Sequence, residues 1–254
     1  MADITVEYVR HMGDDLAVAN AARVSFDRQS DQFSTKDERL IHFLARGCES
    51  GEWDKHIAEL QEDYNDWFMI EKLVKTLRQM PTHWAPFAHP QITLRETVPI
   101  FVARQRFKHK IGFVESEVSR RYVDSEPEFY EPAVWRKRGE NKKQGSSDEV
   151  LVYAEHAAPW SFSSMDEAYQ SHIDDSIYLY EKAIADGLCP EQARMFLPQS
   201  MMTTYQVTGS LYAFSQLYNA RTYEGAQAEI KCLANKIGDI IRPLYPVSWQ
   251  ALTG

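Results

Sequence analysis

The side chains best equipped to hold a ligand are concentrated between Arg104 and Tyr122, in the run RQRFKHKIGFVESEVSRRY. That run carries six Lys or Arg against two carboxylates, within a chain of formal charge -9. A basic segment in an acidic chain is a local anion site rather than a general affinity for polyanions. Glu117, Ser119, Arg120, Arg121 and Tyr122 fall within six residues of one another. A serine hydroxyl and backbone N–H groups suit phosphate oxygens, and arginine adds a bidentate fork. A glutamate accepts from a ribose hydroxyl or a base N–H. Together they suit a nucleotide monophosphate better than bare phosphate. Upstream, a helix over 99–110 would place Arg104 with Lys108, Arg106 with Lys110 and Gln105 with His109 at i,i+4. The period-two spacing of Arg104, Arg106, Lys108 and Lys110 leaves a strand open as the alternative.

Other chemistry is excluded by what is missing. There is no GxxxxGK[ST] and no GxGxxG, so neither a P-loop nor a Rossmann dinucleotide site is supported. HExxH is absent and the eight His show no zinc-ligand spacing, so no metal is expected. No GxSxG elbow is present, and Cys48, Cys189 and Cys232 stand in no catalytic motif. An enzyme built from this chain must leave its difficult chemistry to a cofactor. The balance of 28 Lys+Arg against 37 Asp+Glu argues against nucleic acid or an anionic membrane as partner. No run of 18 apolar residues and no secretion signal are found, so a cytoplasmic location with reduced thiols is expected.

The elements that must position these residues read as α+β. The 254 residues show no repeat and no clear linker, which favours one domain, 1–254. Residues 3–9 alternate as a strand, and GDDLAVANAARVSFD reads as a helix with Asp14 or Asp15 at its start. Residues 36–79 are mostly helical, with apolar spacing from Trp53 to Met80. THWAPFAHP is held irregular by Pro86 and Pro90. QITLRETV is a strand, a helix follows from Pro99, and the segment after Gly112 is extended. RKRGENKKQGSSDE (136–149) is a polar surface segment. Helices are expected over 164–186, 190–197, 200–219 and 224–243. Tyr205, Tyr212, Phe214 and Tyr218 then pack at helical spacing, and Tyr122 belongs to the core or an interface.

GDDLAVANAARVSFD, THWAPFAHP, VPIFVARQRFKHKIGFVESEVSRRY, DGLCPEQARMFLP and TGSLYAFSQLYNARTYEGAQAEI, in that order, resemble flavin-dependent thymidylate synthase. The likeness covers residues 10–27, 81–132 and 186–245. Its N-terminal, proline-bracketed and TGSL segments look most like a viral branch of the family. Relative to shorter members, 46–80 and 136–158 look like insertions. The family signature is Arg-His-Arg, seven residues, then Ser. Here it reads Lys108-His109-Lys110, eight residues, then Ser119, with the extra residue absorbed within Gly112–Ser116.

The resemblance implies a twisted antiparallel sheet flanked by helices, in a homotetramer whose active sites are shared between subunits. It implies reductive methylation of dUMP to dTMP, with 5,10-methylenetetrahydrofolate giving the carbon, reduced FAD the hydride, and NADPH re-reducing the flavin. By matched position, Gln105, Lys108, Glu117, Ser119, Arg120, Arg121, Arg194 and Arg221 would hold dUMP. Arg221 would be the catalytic residue, polarising the uracil ring. Ser25, His83, Lys108, His109, Lys110, Ile111, Glu117, Ser210 and Gln216 would approach FAD. Departures cluster on the flavin side: Ser210-Leu211-Tyr212 stands where members often show Asn-x-Arg, and Gln216 replaces an Asn. Two other readings remain open, a flavin- and folate-dependent dUMP hydroxymethylase and a nucleotide-binding homologue without turnover. Arg194 could also form a simple i,i+3 pair with Glu191.

Overall fold

The computed structural model describes residues 2–46, 82–123, 126–140, 146–151, 162 and 164–254. The helical expectation for Trp53 to Met80, the insertion expected at 46–80 apart from Arg46, and part of the one at 136–158 lie outside these residues. The described elements run β1 (Thr5–Met12), α1 (Asp15–Arg23), α2 (Thr35–Leu44), α3 (Ala85–Ala88), β2 (Gln91–Pro99), α4 (Ile100–Arg106), β3 (Phe113–Glu117), β4 (Arg136–Arg138), β5 (Ser146–Val150), α5 (Met165–Ala185), α6 (Pro190–Ala193), β6 (Met202–Ser210), α7 (Leu211–Thr222), α8 (Ala228–Ile241) and α9 (Pro246–Thr253).

Four strands form one antiparallel sheet in the order β1-β2-β6-β3, flanked by helices as expected. On β2 and β6, Ile92, Leu94 and Val98 are buried beside Tyr205 and Val207, whose pairing places them on the same sheet face. Against this face α7 and α8 bring Leu211, Phe214, Leu217, Leu233 and Ile237, all closed to solvent. The opposite face is polar at its centre. There Thr93 meets Thr208 and Thr97 meets Thr204 through hydroxyl contacts of 2.9 Å. β1 continues the sheet with a bulge between Tyr8 and Arg10. The polar 136–149 stretch contributes strands to a separate two-stranded antiparallel sheet, β4-β5.

Three elements differ from the sequence expectation. The helix expected over 200–219 begins only at Leu211, because 202–210 is a strand between β2 and β3. MTTYQVTGS is rich in β-branched and aromatic residues, and pairing on both sides outweighs the helical spacing of its tyrosine with those downstream. THWAPFAHP does contain a regular turn, α3, since Pro86 sits in the first turn where no N–H is needed. The helix from Pro99 stops at Arg106, not at 110. Phe107 caps it, and Gly112 at φ +79° turns the chain into β3. Tyr122 is 78% exposed, lying under the Arg121 guanidinium at 4.9 Å, so it is not core.

The two ends of the chain meet at the start of α1. Asp14 caps α1 through Ala17 N at 2.8 Å. Its neighbour Asp15 is buried and accepts from Val247 N and Ser248 N at 2.8 and 2.9 Å. Asp15 therefore caps α9, a C-terminal helix that sequence reading did not anticipate. At α2, Ser34 and Asp37 form a capping box, and Arg23 pairs with Asp37. Burial alone would raise the Asp37 pKa, but the Ser34 hydrogen bonds and Arg23 outweigh it and lower it.

Candidate active site

Glu117 ends β3, and the chain then turns through Ser119, Arg120 and Arg121. Val118 N bonds to Thr204 O at 2.9 Å, which holds the start of this turn against β6. Much later in the chain, Arg194 follows the short helix α6. These five residues converge on one cleft of about 690 Å³, whose floor includes Thr97, Thr203 and Thr204. Glu126 and Glu128 also line it. The Ser119 hydroxyl accepts from Arg121 Nε at 3.2 Å, while Arg120 Nη2 donates to Glu126 O at 3.4 Å. Arg194 Nε donates to the Glu191 backbone at 3.1 Å, and the Glu191 carboxylate instead lies 4.0 Å from Arg121. The simple Glu191–Arg194 ion pair is thus not what the structure shows. Three guanidiniums, a hydroxyl and carboxylates around one cleft can take a phosphate at one end and hydrogen-bond donors at the other.

A second cluster gathers Gln105 and Arg221. Arg221, in the last turn of α7, donates through Nε to His109 Nε2 at 3.0 Å and through Nη2 to Gln105 O at 3.2 Å. The Gln105 side chain bonds to Gln227. Burial first, then the Arg221 and Arg106 charges, push the His109 pKa down from the usual 6.5 to about 4. His109 is therefore neutral at physiological pH, and its Nε2 is an acceptor that fixes Arg221. The other side chains of the signature diverge. Lys108 is exposed, and Lys110 pairs with Glu115.

Under α4 lies a buried network the sequence did not disclose. Arg106 Nε donates to Glu96 at 3.0 Å, Tyr205 donates its hydroxyl to Glu96 at 2.6 Å, and Phe113 packs 4.3 Å from the guanidinium. Burial and the Glu96 charge raise the Tyr205 pKa, so it stays a donor. Arg106, one cation of the basic run, is only 1% exposed. This network pins the end of α4 to the sheet, and so sets the position of Gln105 and His109.

The residues matched to FAD lie mostly around one end of the sheet. Ile111 is 94% exposed beside Gly112, whose carbonyl accepts from Ser210 N at 3.2 Å. The Ser210 hydroxyl caps α7 at Ala213 N, and Gln216 is exposed on that helix. Trp84, next to His83, lies 6.1 Å from the Tyr212 ring. The His83 ring accepts from Arg46 and stacks 6.0 Å from Phe43. Ser25 is exposed in the short 3-10 turn Val24–Phe26. Ser210 and Arg221 stand at opposite ends of α7, on the order of 16 Å apart along its axis.

Among the described residues, no cluster of three or more His, Cys, Asp or Glu is placed to hold a metal ion, and no helix is long and apolar enough to cross a membrane.

Comparison with known proteins agrees with this architecture. Residues 7–247 match the family described as thymidylate synthase complementing protein. The chain is 30% identical to the flavin-dependent thymidylate synthase of Thermus thermophilus over 97% of its length and 74% of that protein's. It is 30% identical to that of Thermosipho melanesiensis over 94% and 86%. The crystal structure of the UMP/dUMP methylase PolB from Streptomyces cacaoi, bound with 5-Br dUMP, shares the fold, with TM-score 0.69, 23% identity, and 99% and 95% of the two chains covered. With its antiparallel sheet, its arginine cleft and a family match spanning nearly the whole sequence, this chain belongs to the flavin-dependent thymidylate synthase family.

Proposed function

We propose that this chain, acting as one domain, methylates dUMP reductively to dTMP. The observation that carries this reading is the cleft where Glu117, Ser119, Arg120 and Arg121 meet Arg194. Its three arginines supply the charge-assisted donors that a phosphate dianion requires, and Ser119 adds a hydroxyl. Glu117 stands where a sugar hydroxyl or a base N–H would be offered.

Arg221 is the catalytic residue. C5 of uracil is a weak nucleophile toward the one-carbon unit of 5,10-methylenetetrahydrofolate, and it becomes a better one as the ring takes on anionic character at N3 and O2. A guanidinium fixed at that edge stabilises the charge without needing a proton transfer. His109 and Gln105 hold Arg221 in place for this. Apart from Lys108, the substrate-matched residues divide between the cleft and the Arg221 cluster, whose members do not line the cleft. That division is consistent with a homotetramer in which one copy's cleft faces another copy's Arg221.

The residues around Ile111 fit a flavin. An exposed aliphatic side chain, the Lys108 cation and, at the start of α7, the paired Trp84 and Tyr212 rings offer apolar surface for a planar ring and charge for a pyrophosphate. Bound FAD, re-reduced by NADPH, supplies the hydride. Lys108, Ile111 and the start of α7 at Ser210 would hold it. Gln216, His83 and Ser25 would extend the contact. Purified protein reconstituted with FAD should show flavin absorbance. It should also bind dUMP, and Arg121→Ala should weaken that binding at least about tenfold. A colourless protein after addition of FAD, or dUMP affinity indifferent to Arg121, would refute the reading.

A further inference from the structure

Two carboxylates stand on the same face of the sheet, and β6 gives each of them a hydroxyl. Glu96 on β2 and Glu117 on β3 both pair in register with Tyr205. Tyr205 spends its hydroxyl on Glu96, which also has Arg106 as counter-charge. Glu117 receives its hydrogen bond from Thr203, two residues back on the same strand face, at 2.7 Å to Oε1. Among the described residues Glu117 has no ion pair, and it opens onto the arginine cleft that Thr203 also lines. Thr203 itself is buried, 8% exposed, with its strand bonded on both sides.

We infer that Thr203 is a positioning residue for substrate recognition. Its hydroxyl holds one oxygen of Glu117 and so directs the other toward a hydrogen-bond donor of the nucleoside. This assignment rests on the cleft being a nucleotide site, and adds to it the group that gives the site preference for a nucleoside over bare phosphate. A hydroxyl bonded to a carboxylate removes that side chain's rotational freedom before the ligand arrives, so less is lost on binding. The arginines hold the phosphate whether or not Glu117 is fixed. Loss of Thr203 therefore acts on the sugar and base contacts alone.

The test is calorimetric titration of the full chain with dUMP and, separately, with inorganic phosphate. Thr203→Val keeps shape and β-branching but removes the donor. It should weaken dUMP on the order of tenfold and leave phosphate unchanged, whereas Thr203→Ser should bind dUMP like the parent. Glu117→Ala should weaken dUMP at least as much, and adding Thr203→Val to it should cost nothing further. Unchanged dUMP affinity in Thr203→Val, equal losses for dUMP and phosphate, losses in Thr203→Ser as large as in Thr203→Val, or additive effects with Glu117→Ala would each overturn the assignment. If the parent chain binds phosphate and dUMP equally, or binds neither, the nucleotide reading of the cleft falls together with it. If the parent prefers dUMP and Thr203→Val binds dUMP with unchanged affinity, only the assignment of Thr203 falls.

Discussion

Arg221 is held on two sides, by an imidazole nitrogen and by a backbone carbonyl, and both bonds come from the Gln105–His109 segment. A fixed guanidinium is worth more in a transition state than a mobile cation, because its orientation is set before charge develops. Arg221→Lys keeps the charge but loses the fork. It should lower kcat by about 10² to 10³ while changing dUMP affinity only a few-fold; steady-state kinetics beside direct titration measures both, and an unchanged kcat would remove Arg221 from its role. His109 adds a dependence on pH. Its pKa falls from the usual 6.5 to about 4 in the fold, first through burial and then through Arg221 and Arg106. Between those values the unfolded chain binds the extra proton, so this group's contribution makes stability fall as pH drops from 6.5 toward 4 and level off below. The melting temperature of His109→Gln should fall less steeply than that of the parent over this interval. Parallel melting curves would show that His109 is not responsible.

At the scale of elements, the end of α4 depends on Arg106 and Glu96, both buried against β6. Arg106→Met leaves the Glu96 charge without its partner and should cost about 3–5 kcal/mol in denaturant unfolding. Arg106→Met/Glu96→Gln should recover part of this loss; a single variant as stable as the parent would mean the pair holds nothing in place. Asp15→Ala should cost about 1–2 kcal/mol by releasing two N–H groups of α9. The cleft residues Glu117 to Arg121 were legible because types that bind phosphate sit within a few residues on one turn. Arg106 was not, because an alternating run of cations looks the same whether one member faces water or a buried carboxylate contributed by another strand. Thr203 was hidden for a related reason. Read as helix, 200–219 scatters Thr203 and Tyr205 over different faces; read as strand, period two puts both beside Glu117 and Glu96. The missing signal was the β-branched content of MTTYQVTGS, which the downstream helical spacing of aromatics masked.

At the scale of the molecule, the proposed function joins the arginine cleft of one copy to the Arg221 cluster of another. Sedimentation should give a particle of four 29.4 kDa chains, and a monomer with full activity would contradict a shared site. Mixing an Arg221→Ala chain with an Arg121→Ala chain, each defective alone, should restore a fraction of activity, since some sites would then combine an intact cleft with an intact Arg221. On the proposed function, the flavin and the one-carbon donor would meet dUMP at that junction, and the products of the competing reactions differ in mass. The most direct measurement is therefore mass analysis of the nucleotide formed when the purified protein is incubated with FAD, dUMP, 5,10-methylenetetrahydrofolate and NADPH. The account predicts dTMP, formed only when all four are present. A product heavier than dTMP by one oxygen, or unaltered dUMP from a protein that binds it, would contradict it.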